Sequence, residues 1–354
     1  MTSGNLLEIE DLTVVYRALR SAPVPALEAV SLQLREGETV GIVGESGSGK
    51  STLANAVLGL APVTSGHIRF AGDDITGLRG RARRQLSSEL QAVFQDPYSS
   101  LNPGRTVGQA IAEGLAAQRR EPRTRVAARV AETIRQSGLP ADAAERYPAM
   151  LSGGQRQRVA IARAVIGGPR LVICDEVTSA LDLSVKAQIL NVLRDLQASR
   201  GLSLLFIGHD LPVVRHISHR IVVLYRGMAV EEGPAEEIYR RPRHPYTQAL
   251  IASSPVPDPA LQRGRRATRG SAPLAPAASV ASAAEPGRYS PHARGCSFVD
   301  RCPYAVPTCS LAAPPLVLAE AGVRVACTEL DRIPALETQL PVSVPPDMPT
   351  LSPP

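Results

Sequence analysis

Apolar and polar residues alternate near the start of the chain in the way that is typical of half-buried strands. The alternation covers residues 6–16 and returns in residues 26–34, so each segment is expected to place one side in a core and the other toward solvent. Residues 38–43 form a short apolar run, which predicts a buried strand. Residues 67–70 and 89–94 also have the pattern of strands. We therefore expect two antiparallel strands ahead of a buried one.

Apolar residues recur every three or four positions in several later segments, which is the spacing of an amphipathic helix. Compact apolar runs at 171–174 and 202–207 predict buried strands, and residues 220–225 with 228–232 predict a hairpin. The predicted fold class is therefore α/β. The predicted helices are 52–60, 106–136 with a break at Glu121-Pro122, 156–166, 184–199, 235–240 and 246–253.

A glycine-rich segment joins the strand predicted at 38–43 to the helix predicted at 52–60. It satisfies the phosphate-loop pattern G-x-x-x-x-G-K-[ST]. Successive backbone N–H groups at a helix start attract an anion, and glycine lets the backbone approach a phosphate closely. Lys50 is expected to reach the β and γ phosphates, and the Ser51 hydroxyl to bind Mg²⁺. The predicted nucleotide contacts are Gly44, Glu45, Ser46, Gly47, Ser48, Gly49, Lys50, Ser51 and Thr52.

Two carboxylates and a histidine follow buried strands in the second half of the chain. Asp175 and Glu176 follow residues 171–174, and His209 follows residues 202–207. Because parallel strands end at the same edge of a sheet, these side chains should lie near the phosphate loop. Asp175 is expected to orient Mg²⁺, and Glu176 to accept a proton from an attacking water. A lone histidine is usually structural, but this position favours a donor that senses the γ phosphate.

Two other positions allow both a structural and a functional interpretation. The sequence Ser-Gly-Gly begins at Ser152, just before the helix predicted at 156–166. Ser152 is a suitable N-cap, and the backbone after it is a second candidate phosphate site. Tyr16 ends the first predicted strand, where its ring could stack on an adenine. The same position suits an ordinary tyrosine at a strand end.

Composition limits the classes of function. The chain has 354 residues, 44% of them hydrophobic, and it contains neither an apolar stretch of bilayer length nor a basic start followed by an apolar run. A soluble cytoplasmic protein is therefore expected. The net charge of +6 fits nucleic acid, an anionic membrane surface or a solvated basic face. Tryptophan is absent and aromatic residues are only 3%, which argues against a surface that stacks bases.

The composition changes after residue 254. Residues 255–294 are rich in Pro, Ala, Ser and Arg, which predicts a linker; a small cysteine-bearing unit is expected at 295–330 and a disordered tail at 331–354. A unit this small requires a staple. Disulfides are disfavoured in a reducing cytoplasm, so Zn²⁺, a [4Fe–4S] cluster and free thiols remain as alternatives. The cysteines concerned are Cys296, Cys302, Cys309 and Cys327.

An ordered set of motifs resembles the nucleotide-binding subunits of ATP-binding-cassette (ABC) transporters. The set consists of GESGSGKST, Gln95, LSGGQRQR, LVICDE, the segment 179–182 and His209. The resemblance extends from residue 6 to about residue 255. It implies a P-loop NTPase (RecA-like) core with an antiparallel β subdomain and a helical signature subdomain at about 98–165, all within one ATPase domain at 1–254.

The resemblance also implies roles for individual residues. Tyr16 corresponds to the aromatic residue that stacks on adenine, and Gln95 to the residue that links Mg²⁺ to the membrane partner. Glu176 corresponds to the residue that polarises the attacking water, His209 to the γ-phosphate contact, and Asp182 to the dimer-contact loop. In this family two cassettes pair head to tail, so each signature segment completes the site of the opposite subunit. The signature residues are Ser152, Gly153, Gly154 and Gln155.

Four further segments resemble the dipeptide, oligopeptide and nickel importer ATPases. The resemblance implies a second cassette of the same or a sister chain, two membrane permease subunits, an extracytoplasmic binding protein and a peripheral position on the cytoplasmic face of the membrane. It also favours an iron–sulfur cluster over zinc. Val177 stands where the family usually has proline after the acidic pair, and Gly208 stands where serine or threonine usually precedes the histidine. Neither difference removes a reacting group. The four segments are residues 96–103, 145–148, 244–250 and 295–303.

The predicted function is hydrolysis of ATP, with Mg²⁺, to drive import of di- or oligopeptides through a separate permease. Nickel is the alternative cargo. A soluble cassette ATPase acting on DNA or ribosomes would use the same site, but such proteins usually carry tandem cassettes or a coiled-coil insertion, and the sequence has neither. No nucleic-acid partner is therefore expected. A third hypothesis is a regulatory module whose cysteine unit senses iron or redox state.

Overall fold

The structure is a computed structural model. The predicted linker at 255–294 and most of the predicted tail at 331–354 lie outside the residues that it describes. The described residues are 4–16, 23–96, 100–115, 121–179, 181–253 and 295–336.

A four-stranded antiparallel sheet forms near the start of the chain. Its strands β1 (Asn5–Tyr16) and β2 (Val24–Arg35) pair antiparallel, as the alternating pattern predicts. On its other side β1 pairs with β4 (Ser65–Phe70), and the two-residue strand β5 (Asp73–Asp74) completes the sheet. The buried face of this sheet, which includes Ile9, packs on the helix that follows the phosphate loop.

An eight-stranded sheet forms the centre of the molecule. Its strands are β3 (Thr39–Val43), β6 (Leu90–Val93), β7 (Leu171–Asp175), β8 (Ser203–Gly208), β9 (Arg220–Tyr225), β10 (Met228–Pro234), β11 (Val317–Leu318) and β12 (Arg324–Val325). In space they follow the order β11-β12-β10-β9-β3-β8-β7-β6. The strands from β9 to β6 in this order run parallel, so their carboxyl ends share one edge. The predicted α/β class is confirmed.

Helices cover the sheet and also form a group of their own. The α-helices of the described residues are α1 (Lys50–Val57), α2 (Gly80–Leu86), α3 (Val107–Ala112), α4 (Arg123–Gln136), α5 (Gly153–Val165), α6 (Leu183–Arg200), α7 (Leu211–Ile217), α8 (Ala235–Arg240) and α9 (Pro245–Ser253). Helices α3, α4 and α5 share a separate apolar cluster that includes Ile111, Ile134 and Val159, in the region of the predicted helical subdomain. In the part of the chain that the structure describes, no helix is both long and apolar enough to span a bilayer.

The sequence analysis did not predict α2, α7, β5, β11 or β12. Helix α2 has no buried residue, so it lacks the apolar spacing by which a helix is detected. Short 3₁₀ helices also escape that criterion, because one turn shows no period. Those of the described residues are Glu113–Leu115, Ala141–Glu145, Pro148–Met150, Val299–Arg301, Pro307–Ser310, Glu320–Gly322 and Leu330–Arg332.

The cysteine-bearing segment is part of the main core. β12 pairs with β10 through Val325 and Glu231, and thereby extends the central sheet. Phe298, Val323 and Val325 are buried in the same apolar cluster as the central strands and the helices that cover them. The small cysteine-bearing unit predicted at 295–330 is thus built on apolar surface that the preceding domain supplies.

Candidate active site

The phosphate loop lies between β3 and α1, as predicted. Gly49 precedes α1 with a φ of 103°, a left-handed conformation that favours glycine. A Cβ at Gly44 would lie 2.2 Å from the carbonyl oxygen of Leu224, so this position also requires glycine. The start of α1 has no side-chain cap, which leaves its N–H groups available to an anion.

The Lys50 side chain lies inside this loop and donates hydrogen bonds to the loop backbone. Its Nζ donates to the carbonyl oxygens of Gly44 and Glu45, both at 2.8 Å. Burial lowers the pKa of the Lys50 ammonium, and the carboxylates of Glu176, Asp175 and Glu45 oppose that shift. The ammonium is therefore held among carbonyls and carboxylates, at the place where phosphate oxygens are expected.

Asp175 ends β7 beside the first turn of α1. The Ser51 hydroxyl donates to Asp175 Oδ1 at 3.3 Å. Burial raises the pKa of Asp175, and the negative charge of Glu176 raises it further. A hydroxyl and a carboxylate are oxygen ligands of the kind that Mg²⁺ prefers, so Ser51 and Asp175 fit the predicted Mg²⁺ site.

Glu176 and His209 lie at the ends of neighbouring parallel strands, as predicted. Asp175 of β7 is in register with Ile207 of β8, and the Glu176 N–H donates to the Ile207 carbonyl at 3.0 Å. Glu176 Oε2 lies 3.6 Å from His209 Nδ1. The φ of Glu176 is 50°, a costly conformation for a residue with a Cβ. A strained backbone thus places the Glu176 carboxylate next to the histidine.

The two departures from the family pattern are explained by packing. Val177 is 2% exposed and belongs to the main apolar core. A Cβ at Gly208 would lie 2.8 Å from Cγ2 of Val214 on α7, so a serine or threonine there would require the Val214 side chain to move. Neither residue displaces Glu176 or His209.

Gln95 is connected to the same site through Ser179. The sequence did not predict the contact between these two side chains. The Gln95 side-chain amide donates to Ser179 Oγ at 3.1 Å, and Ser179 Oγ donates to the Glu176 carbonyl at 2.9 Å. Gln95 is therefore connected to the backbone of the strained glutamate. Tyr16 ends β1 and is 44% exposed, which leaves its ring accessible for stacking.

The signature segment is engaged with its own helix. Ser152 caps α5, as predicted: its Oγ accepts from the Gln155 N–H at 3.3 Å, and Gln155 Oε1 accepts from the Ser152 N–H at 3.0 Å. Asp182 similarly caps α6 by accepting from the Val185 N–H at 2.9 Å. Those hydrogen bonds lower the pKa of Asp182. These hydrogen bonds thus fix the starts of α5 and α6.

Two residues missed by sequence analysis contact the phosphate loop at Glu45. The Glu45 N–H donates to Tyr246 Oη at 2.8 Å, and the Arg301 guanidinium pairs with the Glu45 carboxylate. Both residues lie within segments that resemble the importer ATPases, and this resemblance is the one feature of the sequence that could have pointed to them. Neither segment has a chemical pattern that indicates a contact with the loop.

The four C-terminal cysteines are neighbours, but they do not form a ligand shell. All four are free, partly buried thiols, and the Cys296 N–H donates to the Cys309 carbonyl at 2.7 Å. Burial, together with the charges of the other three thiols, raises the pKa of Cys327 to about 11. Among the described residues, no group of three or more His, Cys, Asp or Glu side chains is placed to hold a metal ion.

Comparisons of sequence agree with this geometry. Residues 27–179 match the family model described as ABC transporter, and residues 230–309 match the oligopeptide/dipeptide transporter, C-terminal region. The oligopeptide transport ATP-binding protein OppF of Salmonella typhimurium is 43% identical over 341 residues, covering 92% of this chain and 96% of the relative. OppF of Escherichia coli is 42% identical over 337 residues, with coverage of 92% and 96%.

Solved structures give the same assignment. The dimeric, post-hydrolysis structure of the ATP-binding cassette MJ0796 with ADP and Pi is similar with a TM-score of 0.59 and 28% identity, covering 65% of this chain and 98% of that one. For cbiO1 of Clostridium perfringens, part of the ABC transporter complex cbiONQ, the TM-score is 0.60 at 28% identity, with coverage of 66% and 90%. The chain therefore belongs to the ABC transporter family, as an ATP-hydrolysing ATP-binding subunit of the oligopeptide/dipeptide transporter type.

Proposed function

We propose that this chain hydrolyses ATP between two facing cassettes and thereby drives peptide import through a separate membrane permease. The observation that carries the proposal is the convergence of the phosphate loop, Asp175, Glu176 and His209 at one edge of the parallel sheet. That arrangement supplies an anion cradle, a cation site and a general base, which are the parts that phosphoryl transfer needs.

The proposed roles follow from the positions of the side chains. Tyr16 stacks on the adenine, residues 44–52 hold the phosphates, and Lys50 turns from the loop carbonyls to the β and γ phosphates. Glu176 accepts a proton from the attacking water, and His209 donates to the γ phosphate. Ser51, Asp175 and Gln95 would hold Mg²⁺, which supplies positive charge to the phosphates when bound.

The site is completed by a second cassette. We place Ser152, Gly153, Gly154 and Gln155 against the ATP of that partner, and Asp182 near the interface. The Ser152 and Gln155 side chains fix the start of α5, and a helix N-terminus is a favourable place for a phosphate. ATP that contacts both cassettes favours the closed pair, and hydrolysis removes that preference.

The cargo and the remaining partners are proposed from the relatives. OppF and the oligopeptide/dipeptide region favour peptides over nickel. The complex would contain two permease subunits and an extracytoplasmic binding protein, with this chain on the cytoplasmic face of the membrane. Residues 95–102 would receive the permease, because Gln95 links that segment to Glu176 through Ser179.

Affinity purification from detergent-solubilised membranes tests this proposal. A hydrophobic permease and a peptide-binding protein should co-purify, and ATP-dependent uptake of a labelled oligopeptide should follow reconstitution. Uptake of nickel but not peptide would replace the cargo assignment. Salt-sensitive retention on nucleic acid without a permease would overturn the transport proposal.

The four cysteines are proposed to hold a [4Fe–4S] cluster. The four thiols lie close enough to interact electrostatically, in a segment built mainly from short 3₁₀ turns. A metal centre would tie these turns together in addition to their packing on the main core. The side chains would have to turn toward one another, since the described arrangement is not a ligand shell.

Metal analysis after anaerobic purification tests the cluster. We expect close to four irons and four sulfides per chain, a charge-transfer absorption band, and loss of both in Cys302→Ser. Zinc in place of iron would reassign the metal. A sample that lacks both metals and has four titratable thiols would remove the proposal.

A further inference from the structure

We propose that the C-terminal segment positions the phosphate loop of its own chain through Arg301, which neutralises the Glu45 carboxylate. Arg301 belongs to the 3₁₀ turn Val299–Arg301, next to Cys302. Glu45 is the second residue of the phosphate loop. The inference rests on the proposed ATP site, since it assigns Arg301 a function at that site.

The contact is a two-pronged ion pair between residues 256 positions apart. Arg301 Nη1 lies 2.9 Å from Glu45 Oε2, and Nη2 lies 3.1 Å from Glu45 Oε1. The Arg301 side chain is only 16% exposed. Two parallel hydrogen bonds between an arginine and a carboxylate fix the orientation of both groups and also pair their opposite charges.

An aromatic cluster holds Arg301 in place. Phe298, which immediately precedes the turn of Arg301, is 1% exposed. Its ring centroid lies 5.2 Å from that of Tyr225 and 5.6 Å from that of Tyr246. The Arg301 guanidinium lies 5.7 Å from the Tyr225 ring centroid, and Nη1 is 3.4 Å from Tyr225 Oη. The guanidinium is therefore supported by a packed platform.

The same platform contacts the loop backbone. Tyr246 Oη accepts the Glu45 N–H at 2.8 Å, and the Tyr246 side chain is fully buried. Glu45 is thus held twice, through its amide and through its carboxylate. Its carbonyl also accepts from Lys50, so a displacement of Glu45 would reach the lysine proposed to bind phosphate.

Arg301 affects ATP binding because Glu45, its partner in the phosphate loop, carries a negative charge. A carboxylate in a loop that must accept the negative phosphates of ATP repels the ligand. Arg301 cancels that charge and keeps the carboxylate turned toward the C-terminal segment. Without Arg301, the unpaired carboxylate opposes nucleotide binding, although the phosphate loop, Asp175 and Glu176 remain.

Other ion pairs attach the same segment without contacting the loop, and they provide matched controls. Arg226 Nη1 lies 3.3 Å from Asp300 Oδ2, one residue before Arg301. Arg243 Nη2 lies 2.8 Å from Glu320 Oε2. If the segment only needed to be attached, Asp300→Ala and Glu320→Ala would have the same effect as a change at Arg301.

The test measures MgATP binding and steady-state hydrolysis with the full chain. Arg301→Ala is expected to raise the Kd and the KM for ATP by about 5-fold, the size of effect expected from one charge near a partly exposed site, with kcat largely kept. Arg301→Lys should recover part of the affinity, because it keeps the charge but loses the two-pronged geometry. Asp300→Ala and Glu320→Ala should bind ATP as the natural chain does.

A second substitution separates charge from folding. In Arg301→Ala/Glu45→Gln the repelling carboxylate is gone, so the Kd should return to that of Glu45→Gln alone. Equal weakening by Arg301→Ala in both backgrounds, or equal weakening by Asp300→Ala, would overturn the inference. Lys50→Ala, measured in the same assay, must weaken binding; if it does not, the proposed ATP site is wrong rather than the role of Arg301.

Discussion

Glu176→Gln is expected to reduce ATP hydrolysis by at least about 100-fold, the usual contribution of a positioned general base, while ATP still binds. The amide has nearly the shape of the carboxylate but cannot accept a proton from water. The strained backbone at Glu176 and its bonds to Ile207 and Ser179 do not involve the carboxylate, so they should survive the change. Binding and chemistry should therefore separate in this variant.

The measurements are single-turnover phosphate release, MgATP affinity and size-exclusion chromatography with ATP. A closed pair that persists with ATP is expected, since the nucleotide is not cleaved. Glu132→Gln is a suitable control, because Glu132 is an exposed carboxylate on α4 whose partners are Arg135 and Gln136. Undiminished hydrolysis in Glu176→Gln would mean that another group activates the water.

Sequence patterns identify the parts of this site that depend on local structure. The loop at 44–51 follows a buried strand and precedes a helix, and each of these features has a period or a motif. The position of His209 beside Glu176 follows in turn from the parallel pairing of β7 and β8. Strand ends at one sheet edge thus predict a site before any distance is known.

The contacts at Glu45 could not be predicted in this way. Arg301 and Tyr246 reach the loop only because β12 joins β10 and Phe298 enters the core. β12 has two residues, too few to show an alternation. A long-range ion pair has no periodic signal in the chain, and the aromatic cluster that supports it draws on residues from β9, α9 and the C-terminal segment.

Lys50→Ala is expected to weaken ATP binding by about 10- to 100-fold, since hydrogen bonds to charged groups contribute about 1.5–3 kcal/mol. The substitution removes the ammonium from a position that is 4% exposed and surrounded by Gly44, Glu45 and Asp175. It leaves two loop carbonyls without their donor, so thermal unfolding must be measured beside affinity.

A comparison of nucleotides separates loss of the phosphate contact from collapse of the loop. Lys50 is proposed to contact the β and γ phosphates, which AMP lacks. The preference of the natural chain for ATP over AMP should therefore shrink in Lys50→Ala. A collapsed loop would instead weaken the binding of both nucleotides to the same extent. In the reconstituted complex, the same substitution in every cassette should stop peptide uptake. Because closure of the pair depends on bound ATP in this mechanism, full uptake by that complex would show that neither the nucleotide nor its cleavage moves the permease.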